Sequence, residues 1–178
     1  MAGWSITPEK PASCYCSGGS MTAENRRQRL HRLEIIYVRS PIYFITTGTA
    51  NRRRILATEA NHESFIRFAE QCPQHVAWIG PYVLMPDHFH LFVAVDDQRI
   101  TLPQWMKSLK NVLSKALRSA NIQPPHFQKG FFDHLLRSAE SYSEKWHYVR
   151  ENPVRAGLVE RWEDWPFLGR NVRIGISC

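Results

Sequence analysis

MPDHFHLFV, residues 85–93, is the stretch from which the rest of the chain is read. His88 and His90 flank the apolar Phe89, and the strand formers Leu91, Phe92, Val93 and Val95 follow. In an extended strand, residues two apart point to the same face. Both imidazoles therefore face one way, close enough to hold one metal ion, and Phe89 faces the other. Pro86 and Asp87 break the chain just before, so the pair sits near the start of its strand. On its own a His-x-His pair more often describes two packed or surface histidines. Two imidazoles without a cysteine suit a transition metal or Mn²⁺ better than a calcium cage. Such a site needs a third ligand and a reacting group from elsewhere.

The neighbouring segments read outward from this strand. Residues 76–84, VAWIGPYVL, form a strand interrupted by Gly80-Pro81, a pair that marks a bulge or an edge. The short turn at Met85-Pro86-Asp87 joins the two strands as an antiparallel hairpin. Upstream, IYFITT, residues 42–47, is a strand between Pro41 and Gly48. Residues 59–72 read as a helix, with Phe65, Phe68, Ala69 and Cys72 on one face and Thr58 or Asn61 as cap; Pro73 ends it. Downstream, 102–120 is the clearest helix. Leu102, Trp105, Met106, Leu109, Val112, Leu113, Ala116 and Leu117 share one apolar arc. FFDHLLR, residues 131–137, reads as a fourth strand, and a further helix runs from about Ala139 to Glu151. The order strand, helix, strand, strand, helix, strand is that of an α+β, ferredoxin-like split βαβ sandwich. It predicts a four-stranded antiparallel sheet with both helices on one face. The helix from Ala139 is left to cover the other face.

The chain has 178 residues, an apolar fraction of 43% and a net charge of +7, which fit one folded domain with a polyanionic partner. We place a disordered tail at 1–25, with SGGS at 17–20, one domain at 26–168, and a C-terminal tail at 169–178. Met21 is a second candidate start. Cys14, Cys16, Cys72 and Cys178 fit neither a zinc knuckle nor a disulfide framework, so reduced thiols in a cytoplasmic protein are expected. No apolar run reaches the roughly 18 residues of a membrane span. Trp162, Trp165, Pro166 and Phe167 are expected to pack back on the domain.

The reacting group is sought in WHYVRENPVRAGLV, residues 146–159. Tyr148 and Asn152 are four apart and share a helix face. The Tyr148 hydroxyl is the candidate nucleophile toward phosphorus, and the Asn152 carboxamide is the candidate third metal ligand. Pro153 disfavours helical geometry at Asn152, so the helix is expected to end there. Tyr142 is the fallback nucleophile, and Asp133 and His134 are weaker candidates for the site. No general base stands out. Basic residues suited to phosphate are Arg52, Arg53 and Arg54, then Lys107, Lys110 and Arg118 on the acid-free helix, then Arg150 and Arg155 beside the tyrosine. Arg26, Arg27, Arg29 and Arg32 form a further basic arm.

Taken together, MPDHFHLFV, FQKGFFDHLLR and YVRENPVRAGLVERWEDWPF resemble the REP-associated tyrosine transposases, of the bacterial single-tyrosine HUH (insertion-sequence 200-like) transposase family. The likeness runs from about Ile42 to Phe167. It implies that His88, His90 and Asn152 hold Mg²⁺ or Mn²⁺. It also implies that Tyr148 attacks single-stranded DNA at hairpin-bearing, REP-like palindromic repeats, giving a 5′-phosphotyrosine link and a free 3′-OH. A nucleoid-associated bacterial enzyme acting as a monomer is expected, a helix-exchanged dimer being the alternative.

Two other functions use the same residues differently. A non-catalytic ferredoxin-like nucleic-acid-binding protein would stack bases on exposed sheet aromatics. It leaves the histidine pair and the Tyr148–Asn152 spacing without a role. A metal hydrolase using water as nucleophile would not need Tyr148.

Overall fold

The sequence alternates segments of period two and period 3.6, and the chain folds accordingly. A computed structural model describes residues 35–38 and 40–176, all within one compact unit spanning 32–178. The expected N-terminal tail, the basic residues Arg26 to Arg32, and Cys14, Cys16 and Cys178 lie outside the described residues. In chain order the elements are β1 (Ile35–Val38), β2 (Ile42–Gly48), α1 (Glu59–Gln71), β3 (Ala77–Leu84), β4 (His88–Val95), α2 (Leu102–Ser119), β5 (Phe132–Leu136), α3 (Ala139–Arg150), α4 (Asn152–Arg155), β6 (Leu168–Arg170) and β7 (Arg173–Ile176).

Local chemistry sets the helix ends. The Thr58 side chain accepts the Asn61 N–H and caps α1. Asn61 itself is buried, and its Nδ2 donates to the carbonyls of Ile55 and Leu56. Pro73 cannot continue α1, and a 3₁₀ turn, Cys72–His75, takes over. Thr101 and Gln104 close a reciprocal capping box on α2.

The main sheet runs β5-β2-β4-β3-β6, antiparallel throughout. Its first four strands are the expected ferredoxin-like set. β6 adds a fifth strand outside β3, so β3 is internal. Gly80-Pro81 is a bulge, marked by a register shift between Ile79 and Tyr82. β1 and β7 form a separate parallel pair. Residues 169–176, expected as tail, thus carry the end of β6 and all of β7. These strands are too short to leave a period-two signature.

The two sheet faces differ. Phe89, Leu91, Val93 and Val95 point into one core with Trp105, Met106, Leu109 and Leu113 of α2 and Phe65 and Ala69 of α1. On the other face Ile42, Phe44, Phe92, Ala94 and Leu136 pack with Tyr142, Trp146 and Val149 of α3. Phe92 is fully buried, its ring 5.3 Å from Phe44 and 4.8 Å from Tyr142. Burial on this face falls off past Phe92. His90 and His88, the next residues along β4 on the same face, are only partly buried. The aromatic tail docks as expected, with Trp165 Nε1 donating to the Leu84 carbonyl and Trp162 and Phe167 partly buried. Among the described residues no helix is long and apolar enough to cross a membrane.

Candidate metal and tyrosine site

The histidine pair begins at a turn held from outside. Met85 N–H donates to the His88 carbonyl and closes it. The Pro86 carbonyl accepts Leu56 N–H at 2.9 Å. The Asp87 carbonyl accepts both Thr49 N–H at 2.8 Å and the Thr49 hydroxyl at 3.0 Å. Thr49 is fully buried, so these partners replace water rather than compete with it. The segment carrying Arg52 to Arg54 is therefore a clamp on the Met85–Asp87 turn.

Each imidazole is oriented through Nδ1. His88 Nδ1 donates to Asp87 Oδ1 at 2.7 Å, and Arg52 grips the other Asp87 oxygen at 3.3 Å. His90 Nδ1 lies 2.8 Å from Thr46 Oγ1, and Thr46 is its direct cross-strand partner on β2. Neither Nε2 has a hydrogen-bond partner among the described residues. The rings lie 4.9 Å apart, nearly perpendicular, and His90 stacks on Phe44. Burial, with the nearby charges of His88 and Arg155, pushes His90 down to about 3. It is therefore a neutral donor at any physiological pH. Burial alone would raise the Asp87 carboxyl. The hydrogen bonds from His88 and Arg52, with the His88 charge, outweigh it and hold Asp87 below the usual range.

A hydrogen-bonded Nδ1 and a free Nε2 on each ring, with a carboxylate behind one of them, is the donor set a divalent transition metal requires. Among the described residues no three His, Cys, Asp or Glu side chains converge on one point, so a third protein donor has to be of another type. Asn152 is the expected candidate. Its Nδ2 is buried without a hydrogen-bond partner, and its Oδ1 accepts from Arg155.

Tyr148 is 65% exposed and lies one residue before the buried Val149. The helix does not run through Asn152. It stops at Arg150, and α4 starts afresh at Asn152 with Pro153 in its first turn. Arg155 spans the break. Its guanidinium lies 4.0 Å from the centre of the Tyr148 ring and donates to the Tyr148 carbonyl at 2.7 Å. The charge of the same guanidinium adds to the burial and the His88 charge that depress His90. Tyr142 packs against Phe92, and burial pushes its hydroxyl up to about 12.

The basic candidates separate by location. Arg52 is bound to Asp87, and Arg53 donates to the Gln123 and Pro125 carbonyls. Arg150 lies over the Trp162 ring beside Glu151. Lys110 donates to the carbonyls of Gln128 and Gly130. Lys107 and Arg118 are exposed, but on α2, across the sheet from the histidines. Arg54 and Arg155 are exposed, as is Arg52 despite its bond to Asp87. Asp133 and His134 are exposed on the edge strand β5.

Three residues of the site are not found by reading the sequence. Asp87 reads there only as a chain break, although an acid directly before the first histidine is an available signal. Thr46 carries no signal without the strand register. Gln128 lies over Gly48, the strand partner of His88; a Cβ built at Gly48 would come 3.3 Å from its carboxamide.

Known proteins resemble this chain. The family model described as "Transposase IS200 like" matches residues 38–151. A REP-associated tyrosine transposase of Escherichia coli (strain K12) is 26% identical over 134 residues, covering 74% of this chain and 77% of that one. The solved structure of a REP-associated tyrosine transposase bound to a REP hairpin shares the fold. Its TM-score is 0.57 at 24% identity, over 76% of this chain and 79% of that one.

The clamp on the turn is testable without any ligand. Thr49→Ala removes the one hydroxyl proton that the Arg53 and Asp87 carbonyls share. It should lower unfolding stability in urea by about 1–3 kcal/mol. A change within error of wild type would show that the clamp is not needed.

Proposed function

Because the chain belongs to the transposase IS200-like family, we propose that it cuts and rejoins hairpin-bearing single-stranded DNA through Tyr148, with a divalent metal at the histidine pair. The observation that supports this reading is a strand pair of histidines with both Nε2 atoms uncommitted, in a chain that also presents a solvent-facing tyrosine stacked on Arg155. The relative bound to a REP hairpin supports hairpin DNA as the substrate class.

His88, His90 and the Asn152 carboxamide oxygen would hold Mg²⁺ or Mn²⁺, with Asn152 turning from its hydrogen bond with Arg155. When bound, the ion draws charge off a phosphodiester and helps orient it. Tyr148 Oη attacks phosphorus, the bond to the 3′ oxygen breaks, and that oxygen takes up a proton. The phenol proton passes to solvent. The products are a 5′-phosphotyrosine link and a free 3′-OH, and attack by a 3′-OH reverses the step. The bond energy stays in the link, so no nucleotide cofactor is required. A phenol is mostly protonated at neutral pH, so the attack depends on the positive surroundings of the forming phenolate. Arg155, stacked on the ring, supplies one such charge and can pair the phosphate once Asn152 has moved. Action as a monomer is proposed, a helix-exchanged dimer being the alternative.

The experiment is a denaturing gel with labelled single-stranded DNA carrying a repeat hairpin and Mn²⁺. Wild type should give a slow, protein-linked band that EDTA removes. Tyr148→Phe should lose cleavage and keep binding, and His88→Ala should lose metal-dependent activity. Cleavage without a linked band, surviving Tyr148→Phe, would replace this reading with a water-using hydrolase. Binding without cleavage on a panel of hairpins would leave a binding module.

Asp87 gives a separate test of the metal site. Asp87→Asn weakens the acceptor behind His88 and should lower Mn²⁺ affinity by about 10- to 100-fold in calorimetric titration. Unchanged affinity would remove the carboxylate from the site.

A further inference from the structure

Phe132 is 61% exposed, next to Phe131, which packs on the core under α2. Strand register fixes where Phe132 points. On β5, Leu136 pairs with Ile42 and is buried beneath α3, His134 pairs with Phe44, and Phe132 pairs with Thr46. Directly paired residues in an antiparallel sheet share a face. Thr46 in turn pairs with His90 and hydrogen-bonds its ring. Phe132, Thr46 and His90 thus form one row across three strands, with Phe132 at the outer edge. At about 4.8 Å per strand, Phe132 lies roughly 10 Å from His90. His134, also exposed, follows it on the same face. The turn before β5 presents Lys129, exposed and with no hydrogen bond or ion pair among the described residues.

We propose that Phe132, with His134 beside it, is a base-stacking ledge for an unpaired nucleotide of single-stranded DNA adjoining the histidine pair, with Lys129 facing its phosphate. The inference deepens the proposed function and rests on it for the identity of the strand. An aromatic ring on an open sheet face takes any base, because every base has a π-face. A duplex cannot use the ledge, since its bases are already stacked. The ledge therefore selects unpaired DNA beside a hairpin rather than the hairpin stem. The continuity of the row with the histidines, and the net charge of +7, favour a nucleic-acid strand over an apolar protein segment here.

The test measures anisotropy of the full chain with a short labelled single strand of mixed sequence and with the same strand annealed to its complement. EDTA is present, so neither metal nor Tyr148 enters. Phe132→Ala should weaken single-strand binding by about 5- to 150-fold and leave duplex binding unchanged. Phe132→Trp should bind the single strand at least as well as wild type. Equal losses on both DNA forms would overturn the proposal. So would no loss with Phe132→Ala, a Trp variant as weak as the Ala variant, or a wild type that ignores single strands. A Phe132→Ala chain that binds DNA normally but self-associates less in sedimentation would assign the ring to a protein contact instead. If the ledge behaves as expected while the gel shows no tyrosine-linked product, the catalytic reading fails and the ledge stands.

Discussion

The period-two alternation of β4 is the constraint on which the site depends. Phe89, Leu91, Val93 and Val95 are fully buried on one face, and their packing against α1 and α2 sets the register of the strand. A slip by one residue would turn four apolar side chains outward and drive both histidines into that core. The hydrophobic effect thus aims His88 and His90, although neither takes part in it. The same alternation buries Phe92 and Ala94 under α3 and leaves the next two positions only partly covered.

Orientation comes from polar partners, each satisfied inside the protein. Asp87 and Thr46 hold the two Nδ1 atoms, Arg52 holds Asp87, and Thr49 with Leu56 holds the backbone of the turn. Arg155 plays a corresponding part for the tyrosine, joining Tyr148 and Asn152 across the break made by Pro153. Its guanidinium is committed to the Tyr148 ring and carbonyl and to the Asn152 carboxamide oxygen.

Much of this is legible in the chain because the relevant signals are periodic. The ferredoxin-like strand and helix order follows from apolar spacing and from Gly and Pro punctuation. The helix expected at 102–120 forms as Leu102–Ser119 with its apolar arc inward. The shared face of His88 and His90 follows from strand geometry alone. What cannot be read is cross-strand. Thr46 meets His90, and Phe132 joins their row, only through pairings between residues far apart in sequence. The strands Leu168–Arg170 and Arg173–Ile176 are too short to announce themselves. Basic residues mislead for a related reason. Charge clusters mark solvent or phosphate on average, whereas Arg53 and Lys110 serve as donors to loop carbonyls, a role visible only once those loops have folded against them.

The central claim is that Tyr148, rather than Tyr142 or water, forms the bond to DNA. It is tested most directly by peptide mapping of the protein after reaction with a hairpin-bearing single strand and Mn²⁺, followed by nuclease and trypsin digestion. Cleavage after Lys145 and Arg150 isolates the peptide Trp146–Arg150, which holds Tyr148 as its sole tyrosine. The expected result is a nucleotide-mass adduct on that peptide. An adduct on the peptide containing Tyr142, or cut DNA with no adduct on any tyrosine, would contradict the claim.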